Sequence, residues 1–418
     1  MNTIWKQTAQ QLWSQRRSNG WLYIQLIIIF VVMWFWVDLM WDYAITTFQP
    51  RGVEIEDVYQ VDIAVNMKLW NDTTLTEKRE DYFLEMMRQI KEYPEVEAVC
   101  YYMGTRLYED NWMMEVYANE RDTSAVCKAK IRYISAGYTD VFRIDVQGGN
   151  TDNWEHIPYP RPALISGDMA GILFRDQSAV GMRFYNYYAN KHGKTENAYY
   201  VSGILPPTKI NEFYVYEPFI YVYLEPEVLR YSLPEVALRV RPGTPAGFME
   251  KFLRDMKSRL RVGPYYMIGI QSYEEKKEVF AIEQGHTAYL QLSYGISTFF
   301  ICNVFFALIG TFWFRTRKRR GEIGLRMAMG ATRRQVQHYI LLEGLMLFTL
   351  AAIPAIVVCL NMAYADLNVL ALSPVTPFRY ITTIFLTYIL IAAMVLIGCW
   401  SPARYAMKLK PAEALHDE

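Results

Sequence analysis

Four long apolar runs break up a chain that elsewhere mixes polar and apolar residues. Residues 18–37, 287–314, 344–365 and 380–403 contain no Asp, Glu, Lys or Arg. An uncharged run of about 20 residues crosses a hydrocarbon core of about 30 Å as a helix. The pattern predicts an α-helical membrane protein with four transmembrane helices, over 18–41, 287–314, 339–365 and 380–403. The first run has a basic flank, Arg16 and Arg17, but no small-residue cleavage site. Its exit, with Trp34, Phe35, Trp36 and Trp41, suits a membrane interface, so it reads as an uncleaved anchor. Before it, Trp5, Leu12 and Trp13 with Lys6 fit either a short interfacial helix or a frayed tail.

Between the first two spans, residues 42–285 change pattern and predict a large extracytoplasmic α+β domain. Val61, Ile63, Val65 and Met67 alternate with polar residues, as in a half-buried strand. Thr76 is a candidate cap for a helix carrying Phe83, Met86, Met87 and Ile90, and a strand is expected over 96–103. The pattern recurs later. Val236, Leu238 and Val240 alternate, Thr244-Pro245 offers a helix start, and Phe248, Phe252, Met256 and Leu260 keep helical spacing before a strand at 266–270. We expect one subdomain from 42–103 plus 236–285, next to the membrane, with a mostly-β insert over 104–235.

Charge orients the spans. The chain holds 43 Lys and Arg against 43 Asp and Glu, but unevenly. Lys6, Arg16 and Arg17 precede the first span, and Arg404, Lys408 and Lys410 follow the fourth. Asp38 and Asp42 follow the first span, and Asp366 and Arg379 lie in the short loop 366–379. Basic residues favour the cytoplasmic side, so segment 1–17 and tail 404–418 are expected inside and the large domain outside, at an inner (plasma) membrane. Of the five cysteines, Cys100 and Cys127 read as free thiols, with pairing open if their segment is extracytoplasmic.

The loop 315–338 is more than basic. Arg315, Arg317, Lys318, Arg319, Arg320, Arg326, Arg333 and Arg334 surround Ile323, Leu325, Met327, Ala328 and Met329, punctuated by Gly321, Gly324 and Gly330. Residues 322–329 read as a short helix ended by Gly330 in a left-handed cap. Thr332 and Gln335 form a capping-box pattern that opens the third span's helix. The apolar content suggests docking of a protein partner; the alternative is a topogenic loop on anionic lipid. Glu343, about one turn inside the third span, is either a functional group or one that snorkels or caps.

Catalytic chemistry leaves no mark. There is no H-E-x-x-H, G-x-S-x-G or C-x-x-C, and His156, His192 and His286 are scattered. Glu274-Glu275 sits beside Lys276 and Lys277 and reads as a solvated helix face. No G-x-x-x-x-G-K-[ST] occurs, so nucleotide hydrolysis, if it drives this protein, belongs to another chain. No cofactor, metal or nucleic acid is expected.

The string RRGEIGLRMAMGATRRQVQHYILLEGLML resembles the loop signature of FtsX/MacB-type permeases of ABC transporters. The tail is similar as well, with Ser401-Pro402-Ala403-Arg404 and Pro411-Ala412-Glu413-Ala414-Leu415. Looser echoes fall at 137–142, 163–166, 179–181 and 201–204. The resemblance implies a non-catalytic permease subunit whose loop couples it to a cytoplasmic ATPase subunit through Arg319, Arg320, Glu322, Ile323, Gly324, Leu325, Arg326, Met329, Gly330 and Ala331. It also implies a second permease chain, and efflux, lipoprotein release or envelope signalling as output, with an extracytoplasmic adaptor or substrate. The reading from another class is a membrane-anchored ligand sensor or scaffold that recruits a signalling partner.

Overall fold

A computed structural model of the chain describes residues 16–110, 112–149, 154, 159–175, 178–191, 198–365, 367, 372–373 and 376–407. The segment before Arg16, His156, His192, half of the loop 366–379 and the tail beyond residue 407 lie outside the described residues. Two compact units emerge, residues 47–286 and residues 1–46 with 287–418.

In chain order, helix α1 (Arg16–Phe48) leads to strand β1 (Val58–Val65), helix α2 (Arg79–Lys91) and β2 (Val96–Gly104). Strands β3 (Met114–Asn119), β4 (Val126–Ile134) and β5 (Arg161–Ser166) precede helix α3 (Gly167–Phe174). Then come β6 (Arg183–Asn186), β7 (Ala198–Leu205), β8 (Phe219–Tyr223), β9 (Glu235–Val240) and helix α4 (Phe248–Met256). Strands β10 (Arg261–Val262) and β11 (Tyr265–Ser272) are followed by helices α5 (Tyr273–Glu283), α6 (His286–Lys318), α7 (Arg320–Ala328), α8 (Arg333–Tyr364) and α9 (Pro377–Met407).

The unit of residues 47–286 is built on one sheet of order β10-β11-β1-β9-β2-β4-β3-β6-β7-β5-β8. Its first five strands are open. Phe83, Met86, Met87 and Ile90 of α2 and Phe248, Phe252 and Met256 of α4 pack on Val61, Leu238 and Met267 there. The remaining six close into a ring, because β4 also pairs in parallel with β8, from Lys130↔Phe219 to Ile134↔Tyr223. The ring has its own core of Tyr117, Ile131, Ile165, Phe184, Val201 and Ile220. Closing a sheet removes exposed edges that would otherwise recruit other strands. The two parts join through a ladder of three pairs between β2 and β4, Tyr102↔Ile134 to Gly104↔Arg132.

Local starts differ from those expected. Thr76 is not the cap of α2: Asp72 caps a preceding 3-10 turn, Thr73–Lys78, which runs straight into the helix and occupies its first donors. Thr244 does not cap α4 either, because its hydroxyl donates to Arg241 O at 2.7 Å. Gly247, at φ +95°, stands at the N-cap instead. Strand β9 is buried from Val236 to Val240 rather than on alternate residues, since both its faces are covered. Val236, Leu238 and Val240 lie in the core with α2 and α4, while Arg239 on the other face donates to Val141 O, Glu54 O and Glu56 O. Cys100 and Cys127 are free and buried.

Among the described residues, the second unit holds four helices long and apolar enough to cross a membrane: Gly20–Phe48, His286–Lys318, Arg333–Tyr364 and Pro377–Arg404. Their shared core draws on Leu26, Phe30 and Trp34 of α1, Leu308 and Phe312 of α6, Phe348, Ala351 and Ala355 of α8, and Val395 and Cys399 of α9. Lipid tails are as apolar as leucine, so close packing at small residues must hold such helices together. Gly344 supplies one such point: a Cβ there would lie 2.8 Å from Cys399 Sγ. Helix α6 is attached along a narrow seam and buries only Ser293, Val304, Leu308, Phe312 and Thr316. Helix α1 continues past the apolar run, through Asp38 and Asp42 to Phe48, because those carboxylates find a cation within the bundle.

Candidate functional site

Helix α7 is made rigid by what surrounds its nine residues. At its end the Gly330 amide donates to Met327 O (3.1 Å) and the Ala331 amide to Arg326 O (3.0 Å). These are the two bonds of a Schellman cap, which needs the left-handed conformation that Gly330 adopts at φ +97°. One residue later α8 starts with a complete capping box. Thr332 Oγ1 accepts from the Gln335 amide at 3.3 Å, and Gln335 Oε1 accepts from the Thr332 amide at 2.8 Å. The two caps leave a joint of only a few residues, Met329 to Thr332, whose backbone amides all donate.

One face of α7 is bolted down. Ile323 is buried with Val336, Ile340 and Ala403, and Met327, Ala331 and Tyr339 pack against this group. Gly324 is buried too. Beside them lies a charge cluster centred on Glu343, whose side chain is 6% exposed. Its Oε1 accepts from Arg315 Nη2 (2.5 Å) and Arg319 Nη1 (2.6 Å), and its Oε2 accepts from Arg319 Nη1 at 2.7 Å. Arg319 also grips Glu322 with Nε (2.8 Å) and Nη2 (2.9 Å), a two-pronged contact. Arg326 reaches Glu322 at 3.3 Å and lies 4.2 Å over the Tyr339 ring. Burial works against the charge of Arg319, but the Glu322 hydrogen bond and the Glu343 carboxylate hold its pKa above the usual value. A void of about 20 Å³ beside Glu343 and Arg315 has room for roughly one water.

The expected docking residues therefore divide. Arg319, Glu322 and Arg326 form one network with Glu343, and Arg320 is half-buried. Ile323 and Gly324 face the chain's own core, and Gly330 and Ala331 make the joint. The outward apolar surface is left to Leu325, 49% exposed, and Met329, 73% exposed. Arg317, Lys318, Arg333 and Arg334 are also exposed. Thus several arginines that read as a docking or topogenic patch are engaged internally, with Glu343 as the reason.

A second cluster was not anticipated. Arg379 on α9 donates Nε to Asp38 Oδ1 (2.9 Å), Nη2 to Asp38 Oδ2 (2.5 Å), and Nη1 to Asp42 Oδ1 (2.9 Å). Asp42 also accepts the Leu372 amide at 2.6 Å, and Trp34 Nε1 donates to Thr383 Oγ1 at 3.1 Å. Asp38 and Asp42 stand four apart on α1, hence on one face. That spacing was the available signal, but it names no partner 341 residues away.

In the unit of residues 47–286, the Glu274-Glu275-Lys276-Lys277 run is no simple solvated face. Glu275 completes a capping box with Ser272, and Lys276 is buried, donating to Glu109 Oε1 and Gln60 Oε1 at 2.6 Å each. Among the described residues no group of three His, Cys, Asp or Glu is placed to hold a metal ion.

Residues 294–411 match the family model described as the FtsX-like permease C-terminal domain, covering α6 from near its start through α9. A comparison with curated proteins returns no match. Among solved structures, the periplasmic region of MacB from Actinobacillus actinomycetemcomitans aligns at 11% identity and TM-score 0.34, covering 55% of this chain and 94% of that one. The extracellular domain of the noncanonic ABC-type transporter YknZ from Gram-positive bacteria aligns at 15% identity and TM-score 0.32, covering 51% and 100%. A domain of a putative permease protein from Porphyromonas gingivalis aligns at 14% identity and TM-score 0.34, covering 53% and 93%. Residues 294–411 are thus similar to an FtsX-like permease domain, within the unit whose four helices among the described residues are long and apolar enough to cross a membrane.

Proposed function

We propose that this chain is the permease subunit of an ABC transporter, and that a separate cytoplasmic ATPase docks on α7. The observation that carries the reading is the two-faced build of α7. Its inner face is fixed by Ile323, the Glu343 cluster and two caps, while Leu325 and Met329 project outward among exposed basic residues. A short helix with an apolar edge is a standard key for a hydrophobic groove. Fixing it in advance lowers the entropy cost of binding. A lipid-binding loop needs the arginines but gains nothing from a double-capped helix.

In this reading both termini and α7 are cytoplasmic, and residues 47–286 are extracytoplasmic. ATP-driven movement of the ATPase pushes α7, and the Glu343 cluster passes the push to α6 and α8. Four spans enclose little space, so a second permease chain completes the assembly, with exposed basic residues against lipid headgroups. The output is mechanical work outside the membrane: efflux, lipoprotein release or envelope signalling, through an adaptor or substrate there.

Leu325→Glu tests it. Co-purification of the ATPase and stimulation of its turnover are expected to fall about tenfold or more, as for a truncated interface anchor. Thermal stability should hold, because Leu325 is half exposed. Full stimulation by the variant refutes docking on α7.

A further inference from the structure

The chain enters and leaves the unit of residues 47–286 through two stems, the segment 49–56 and helix α5. The loop 206–216, between β7 and β8, lies against both. On the first stem the Lys209 amide donates to Arg51 O at 2.9 Å, and the Tyr216 hydroxyl donates to Pro50 O at 2.7 Å. Gly52, at φ +77°, sits so close that a Cβ would lie 2.4 Å from Pro207 O. On the second stem the Phe213 ring stacks on His286, which follows α5, at 4.0 Å and 11°.

Glu212 links the two. Its Oε1 accepts from Arg51 Nη1 (2.5 Å), the Tyr108 hydroxyl (3.0 Å) and Lys277 Nζ (3.1 Å). Its side chain is only 8% exposed, so this differs from a surface ion pair of small worth. Two cations from opposite ends of the domain's chain share one oxygen, and without the carboxylate they would face each other. Helix α5 is held along the same side by Tyr273, whose hydroxyl meets that of Tyr102 at 2.7 Å, by Lys276, and by Phe280 against the Tyr108 ring. Positions 273, 276, 277 and 280 follow helical spacing, so one face of α5 is fastened over its length.

We infer that the loop 206–216 is a strap binding the two stems to each other, with Glu212 as its fastener, so that the stems shift as a pair. Its use in transmission rests on the coupling role proposed above; the strap itself does not. Glu212→Gln leaves Arg51 and Lys277 without their shared charge and lets the stems open separately from the ring.

The test is hydrogen exchange on the full chain in lipid nanodiscs, with no ATPase present. In Glu212→Gln, exchange is expected to rise about tenfold or more at residues 51–56 and at 277–283, while β5 and β7 keep their protection. A rise confined to 206–216, or to one stem, overturns the strap. If β5 and β7 lose protection too, Lys277→Gln decides, since it cuts only the tie between Glu212 and α5. It must raise exchange at 277–283 and leave 51–56 unchanged, and no rise there overturns the proposal. Failure of Leu325→Glu to impair stimulation, with normal exchange in the stems, would refute docking alone.

Discussion

The two ion clusters of the helical unit are built as opposites. One sets a single cation, Arg379, between two carboxylates, and the three side chains are 6%, 0% and 3% exposed. The other sets a single carboxylate, Glu343, between Arg315 and Arg319, which are 15% and 16% exposed. Deleting the centre has different consequences at each. Asp38 and Asp42 have short side chains that cannot carry their charge away from the site when Arg379 is removed. Arg315 and Arg319 have long stems that can carry their charge outward, and Arg319 keeps Glu322. The first cluster closes α1 on α9. The second holds α6, α7 and α8 at a point where the charges can rearrange.

The sharpest way to break this contrast is Arg379→Met. Leaving buried carboxylates unpaired should cost about 3–5 kcal/mol, read as a large drop in thermal unfolding temperature in one detergent. Adding Asp38→Asn and Asp42→Asn should recover most of it; a triple variant no more stable than the single one would mean that packing, not charge, is lost. Next comes Glu343→Gln. It keeps an acceptor but no charge, and should cost about 1.5–3 kcal/mol in the same assay. If it equals or exceeds Arg379→Met, the contrast is wrong. The smallest effect is expected from Gly330→Ala. Forcing a Cβ into the left-handed cap costs about 1–2 kcal/mol, and amide exchange should rise in α7 before it rises in α8.

What was legible in the sequence follows the range of each interaction. The α7 cap at Gly330 and the Thr332–Gln335 box are signalled within a few residues, and both are present. The buried stripe of α2 is periodic and equally local. Thr244 misled because a hydroxyl near a helix start has several nearby uses and this one donates to Arg241 O, and Thr76 misled because Asp72 opens a 3-10 turn ahead of it. The Asp38–Arg379 and Arg51–Glu212 contacts join residues 341 and 161 positions apart, and Lys277 likewise lies outside any local pattern around Glu212, so no window reveals them. Closure of the six-strand ring rests on the parallel β4–β8 pairing, a choice of partner rather than of local pattern. Burial explains why Lys276 misled. A lysine in a charged run looks solvated until Glu109 and Gln60 are known to lie above it.

Helix α6 touches the rest of its unit along one line of buried residues, from Ser293 to Thr316. A rod held on a single line resists being pulled away but rolls about its axis at little cost, since most of its circumference meets no side chain of this chain. Rolling would turn Phe300 against Trp36, Thr311 against Gln25 and Arg315 against Glu343. The angular setting of α6 is therefore shared by small contacts spread along its length, at Phe300, Thr311 and Arg315, rather than fixed by wide burial.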